Sequence, residues 1–255
     1  MLLNISEIGE GEPIVLLHGL FGRAQNLGHV ARRLAQRARV ISMDLRNHGA
    51  SAHAGGMDYQ TLAGDVMQTM SALTIPAAAL LGHSMGGKTA MAAALLASSR
   101  VTRLLVADIA PVAYAHNSKA TVAALQTIPL RRGLTRAEAS AYLEPAIPDS
   151  TIRGFLLQNL QFGDVPAWRI GLSEIAAAIP DIESWPSFPP GTRYGGPALF
   201  LSGANSDYVR AAQHPAIEAL FPAARYLSIP DAAHWLHADQ PEAFADAAEA
   251  FLLCA

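Results

Sequence analysis

The sequence predicts an α/β fold: a mostly parallel sheet flanked by helices on both faces. Three observations carry that prediction. Six short apolar runs, 14–17, 40–43, 77–81, 104–107, 198–201 and 226–229, are mostly continuous rather than alternating, as strands buried on both faces are. Helical patterns at 27–37, 59–73, 85–97, 216–220 and 242–253 separate most of these runs, the alternation that builds parallel β-α-β units. The third observation is a break. From 114 to 190 there is no convincing buried strand, only short helical patterns punctuated by Pro129, Gly133, Pro145, Pro148, Gly154, Pro166 and Pro180. That segment reads as a helical cap, 114–190, inserted after the sixth strand into a core made of 1–113 and 191–255. Residues 2–7 add an antiparallel edge hairpin.

Composition narrows the function classes. A chain of 255 residues with 51% hydrophobic and 15% charged residues buries a substantial core and is not disordered. A net charge of −3 without basic runs gives no electrostatic footprint for nucleic acid, so the expected partner is a small molecule. The N-terminus has no basic segment leading into an apolar core, and no apolar stretch reaches the length of a membrane span, so the expected location is cytoplasmic. The only cysteine, Cys254, permits no intramolecular disulfide and is expected to be inert.

Chemistry-bearing residues gather where the predicted strands end. The third run stops at Gly82-His83-Ser84-Met85-Gly86, one serine between two glycines at a strand-to-helix turn. Side chains two positions either side of so sharp a turn would collide, and the strain holds Ser84 Oγ above the sheet as a nucleophile. A bland alternative is that Ser84 caps the following helix. A serine hydroxyl needs a neighbouring base, and His234 suits: it follows the last run by the short turn 230–233. The order serine, acid, histidine leaves two aspartates at strand ends, Asp108 and Asp207, and from the residues alone either can orient His234. The oxyanion of an acyl-transfer intermediate needs two backbone N–H groups. Met85 is the candidate for one and Leu20, in His18-Gly19-Leu20-Phe21-Gly22, for the other, with Phe21 the neighbour to weigh against it. His234 and His237 have HxxH spacing, yet no further ligand cluster accompanies them, so no metal is expected.

Taken together these residues resemble the α/β-hydrolase superfamily. HGLFG at 18–22, DLRNHG at 44–49, GHSMGGK at 82–88, ADIAPV at 107–112 and AHWLHAD at 233–239 are similar to the esterase group typified by YbfF esterase and abhydrolase domain-containing protein 11. Residues 155–160, Trp168 and 175–178 look like that group's cap. The resemblance implies a serine carboxylesterase of small to medium acyl esters, working through an acyl-serine intermediate without a cofactor. It favours Asp108, 24 residues after the serine (108 − 84), over Asp207. Phe21, Trp168 and Trp235 are the expected substrate-pocket residues, and Phe155, Leu156, Phe162, Ile170 and Trp185 join Trp168 as candidate roof. Lys88 is expected to be structural, Asn47 and His48 to shape the pocket wall, and Asp44 to pair with Arg46. Ala233 departs from the glycine usual before the histidine. An acyl-CoA thioesterase, a C–C hydrolase or a perhydrolase would use the same triad, and a ligand-sensing protein with slow turnover is the alternative of another class.

Overall fold

The computed structural model describes residues 1–115 and 118–253; Cys254 lies outside them. Its strands are β1 (Asn4–Ile8), β2 (Pro13–Leu17), β3 (Arg39–Asp44), β4 (Ala78–His83), β5 (Val101–Ala107), β6 (Leu160–Gln161), β7 (Ala167–Trp168), β8 (Ala198–Gly203) and β9 (Ala224–Ile229). The helices are α1 (Gly28–Leu34), α2 (Tyr59–Ala72), α3 (Met85–Leu96), α4 (Ser118–Gln126), α5 (Arg136–Leu143), α6 (Ser150–Leu156), α7 (Leu172–Glu183), α8 (His214–Leu220), α9 (Leu236–Asp239) and α10 (Pro241–Leu252).

Seven strands form one sheet in the order β1-β3-β2-β4-β5-β8-β9, parallel except for β1. The continuous apolar runs have the expected cause. In β2, Val15 and Leu17 join the core shared with α2, α3 and the inserted segment, while Ile14 and Leu16 join the core under α1 and α10. Each fully buried Leu or Ile there contributes roughly 1.5–3 kcal/mol. Helix α3 is buried from Met85 to Leu95, and its glycines and alanines let it lie close to the sheet. The chain leaves β2 toward β3 on one side and returns to β4 on the other, so strand order switches between β2 and β4. Their C-terminal ends carry the HGLFG loop and Ser84, at the crevice where ligands of open α/β sheets bind.

Three expectations need correction. Residues 2–7 make a single strand rather than a hairpin: β1 pairs with β3 because β2 already has β3 and β4 on its two edges. The insertion consequently leaves the sheet after its fifth strand in chain order, not its sixth. β9 is not buried on both faces. It is the outer edge of the sheet, and Tyr226 and Leu227 are 36% and 46% exposed. Between β5 and β8 the insertion is helical, α4 to α7, but it also carries the two-stranded ribbon β6–β7.

Candidate active site

Backbone sterics set the position of Ser84. It has φ 53° and ψ −119°, between the last residue of β4 and the first of α3. A Cβ on Gly82 would lie 2.2 Å from the Gly86 carbonyl oxygen, and one on Gly86 would lie 2.3 Å from the Leu17 carbonyl oxygen. Only glycine fits either place, which is why the motif can turn so sharply against β2. Met85 opens the helix, so its N–H has no intrahelical acceptor.

Ser84 Oγ lies 3.0 Å from His234 Nε2, and His234 Nδ1 lies 2.8 Å from Asp108 Oδ2. Asp108 sits at φ 54° and is fully buried. Its Oδ1 accepts from the Gly203 N–H at 3.2 Å, and its Oδ2 accepts from Ser206 Oγ at 2.5 Å as well as from His234. A carboxylate only accepts, so the proton of His234 is on Nδ1 and the lone pair of Nε2 faces the serine. An imidazole so held can take the hydroxyl proton as the oxygen attacks a carbonyl carbon. Asp207 stands apart: it is exposed and paired with Arg210. Two further groups brace the base. Tyr208 stacks on the His234 ring with centroids 3.7 Å apart, and His83 Nε2 donates to the His234 carbonyl at 2.8 Å. His83 thus turns from the serine toward the histidine loop.

The loop after β2 is a tight turn closed by the Gly22 N–H on the Gly19 carbonyl at 2.9 Å. The Phe21 N–H donates to His48 Nε2 at 3.1 Å and is thereby committed, so the Leu20 N–H, in the same turn along the cavity that Ser84 lines, is the candidate that remains of the two. His18 Nε2 accepts the Leu45 N–H at 3.0 Å and its Nδ1 donates to the Gly19 carbonyl. Burial pushes His18 down and, with the nearby His18 ring, pushes His48 down to about 3, so both act as neutral struts. His48 holds this loop rather than lining the pocket. Asp44 does not pair with Arg46. Arg46 forks onto Asp65, at 2.7 and 2.9 Å, while Asp44 accepts the N–H groups of Ala24 and Ala50.

A cavity of about 280 Å³ opens over Ser84, lined by Leu20, Phe21, Met85, Phe155, Leu156 and Trp235 among others. Trp168 does not line it, a correction to the expected pocket. The two-residue ribbon pairs Trp168 with Leu160, and the half-buried indole packs against the core shared with α2 and α3. Phe162, Ile170 and Trp185 are likewise in packing rather than roof positions, Trp185 lying against Tyr59 and Phe188. Lys88, 2% exposed, reaches the cavity wall and donates to the Ser184 carbonyl at 2.6 Å, tying α3 to the end of α7. Burial, opposed by the charge of Glu183, brings its ammonium down to about 7. His237 also lines the cavity; its ring meets that of His83 edge-on at 4.6 Å, and burial lowers it to about 4. Sequence reasoning missed Ser206 and Tyr208 as partners of Asp108 and His234; serine and tyrosine in a loop carry no signal until their neighbours are known. Among the described residues, no group of three or more His, Cys, Asp or Glu is arranged to hold a metal ion.

The family model of the alpha/beta hydrolase fold matches residues 12–241. The chain belongs to that family. It is 39% identical to sn-1-specific diacylglycerol lipase ABHD11 of Danio rerio, over 96% of this chain and 79% of that one. It is 37% identical to esterase YbfF of Escherichia coli strain K12, over 94% and 92%. Among solved structures, a marine microorganism esterase superposes with a TM-score of 0.95 at 36% identity, covering 98% of this chain and 99% of that one.

Proposed function

We propose that this member of the alpha/beta hydrolase fold family is a serine carboxylesterase of small to medium acyl esters, with Ser84, His234 and Asp108 as its triad. The chain is a carboxylic ester hydrolase, as its likeness to the esterase and lipase relatives supports. The observation that carries the residue assignment is the continuous hydrogen-bonded line from Ser84 Oγ through His234 to Asp108, at 3.0 and 2.8 Å.

In this reading His234 Nε2 takes the Ser84 proton as Oγ attacks the acyl carbon. The Met85 and Leu20 N–H groups receive the developing oxyanion, each donor lowering the barrier by about 2.7–4 kcal/mol. His234 then gives its proton to the leaving alcohol. A water, deprotonated by the same nitrogen, cleaves the acyl-serine. Asp108 holds the tautomer and offsets the imidazolium charge. Phe21 and Trp235 belong to the acyl pocket, and 114–190 acts as its cap. Among the described residues, no helix is long and apolar enough to cross a membrane; a cytoplasmic location remains part of the proposal.

Hydrolysis of p-nitrophenyl esters over a series of acyl lengths, beside a parallel acyl-CoA series, tests the reading with wild type and Ser84→Ala. The expected result is ester turnover that disappears in the variant. Activity that survives Ser84→Ala, or thioesters turned over in preference to esters, overturns it.

A further inference from the structure

We infer that Asn159, from the insertion, is a positioning residue for the oxyanion loop: its side-chain amide holds the Phe21 carbonyl and so fixes the turn that aims the Leu20 N–H at Ser84. The inference rests on the reading of Leu20 as an oxyanion donor.

The turn from Gly19 to Gly22 is unusual in that its third residue is a phenylalanine at φ 61°. A bulky side chain in the left-handed region is strained and persists only where the surroundings over-determine it. Here both polar groups of the Phe21 backbone are held. The N–H is held from the core by His48, whose Nδ1 donates to the Arg46 carbonyl and whose Nε2 is therefore an acceptor. The C=O is held from the insertion, accepting from Asn159 Nδ2 at 2.7 Å across 138 residues of chain. Asn159 is 1% exposed, and its Nδ2 also donates to the Leu156 carbonyl at 3.2 Å. Two carbonyl neighbours can only accept, so the amide must present its NH2 group to them. Its neighbour Gln158 exchanges hydrogen bonds with Asn26, at 3.2 and 3.4 Å, just beyond the same turn.

The oxyanion loop is therefore clamped by two separate parts of the molecule. Without the Asn159 donor the Phe21 carbonyl keeps only the long contact from Gln158 Nε2, at 3.5 Å, and the peptide relaxes away from its strained conformation. The neighbouring Leu20 N–H turns with it. A misplacement of about 1 Å in such a group costs roughly 100-fold in rate.

The test measures kcat and KM for p-nitrophenyl butyrate with wild type, Asn159→Leu, Asn159→Asp and Ser84→Ala, with thermal melting as the check on folding. Asn159→Leu is expected to lower kcat about 10- to 100-fold while KM stays within about threefold. In Asn159→Asp a carboxylate cannot donate to Phe21, but the protonated acid can, and burial raises the pKa of such a group. Its kcat relative to wild type should therefore rise several-fold from pH 8 to pH 6. A folded Asn159→Leu with wild-type kcat overturns the inference, as does an Asn159→Asp ratio flat in pH. Activity surviving in Ser84→Ala would instead overturn the reading of the active site itself.

Discussion

Ser206 and His234 meet on one oxygen of Asp108: Ser206 Oγ lies 2.5 Å and His234 Nδ1 2.8 Å from Oδ2. The hydroxyl stabilises the carboxylate and shares its charge with the imidazole. Replacing Ser206 by Ala removes the hydroxyl that helps to aim Oδ2 at His234 and should lower kcat about tenfold, roughly 1.4 kcal/mol, through the misplaced carboxylate. An unchanged kcat would show that Ser206 does not position the carboxylate.

The two aspartates should separate sharply under mutation. Asp108→Asn leaves the geometry but favours the wrong histidine tautomer, and is expected to cost on the order of 10⁴ in kcat. Asp207→Asn, at an exposed side chain paired with Arg210, should change kcat by less than about twofold. Equal, small losses in both variants would mean that the acid is misassigned.

Acid should destabilise the fold. Burial holds His18, His48, His83 and His237 below their ordinary range, His48 at about 3 and His237 at about 4. Between the unfolded value near 6.5 and these folded values the unfolded chain binds more protons, so the stability present above about pH 6.5 is lost as pH falls. Each such histidine contributes up to about 1.4 kcal/mol per pH unit in that window. Melting curves from pH 7.5 to 5 should show a falling Tm, less steep in His237→Gln; a Tm independent of pH would contradict this.

Gly86→Ala should destabilise by about 1–3 kcal/mol or more and abolish turnover, because its Cβ would meet the Leu17 and His18 carbonyls at 2.3 and 2.5 Å. Backbone on that side cannot swing away as a side chain can. A stable, active alanine variant would show that α3 has more room than the geometry allows.

Pocket and packing tryptophans should behave differently. Trp235→Ala and Phe155→Ala, which enlarge the cavity over Ser84, should shift preference toward longer acyl chains. Trp168→Ala should lower Tm with the chain-length profile unchanged. A profile altered by Trp168→Ala alone would restore that residue to the pocket.

The amino-acid sequence by itself determined the parts that rest on local sterics and on two-sided burial. Continuous apolar runs gave away the parallel strands because both faces of the sheet are covered, and the glycines around Ser84 mark a turn whose neighbours are only two residues away. His234 was legible as the histidine that follows the last strand. The edge strand β1 was misread because its partner, β3, is chosen by which edges remain open, and β9 because nothing local says that it ends the sheet. Only the tertiary structure decided which aspartate stands beside His234. Asp108 directly follows β5 and Asp207 lies in the loop after β8, but the Gly203 N–H and Ser206 Oγ surround the first while the second is exposed and paired with Arg210. The same holds for Trp168, set in packing by the ribbon, and for Asn159, whose acceptor lies 138 residues away. Contacts of that range depend on how separate elements dock, and no spacing in the chain encodes them.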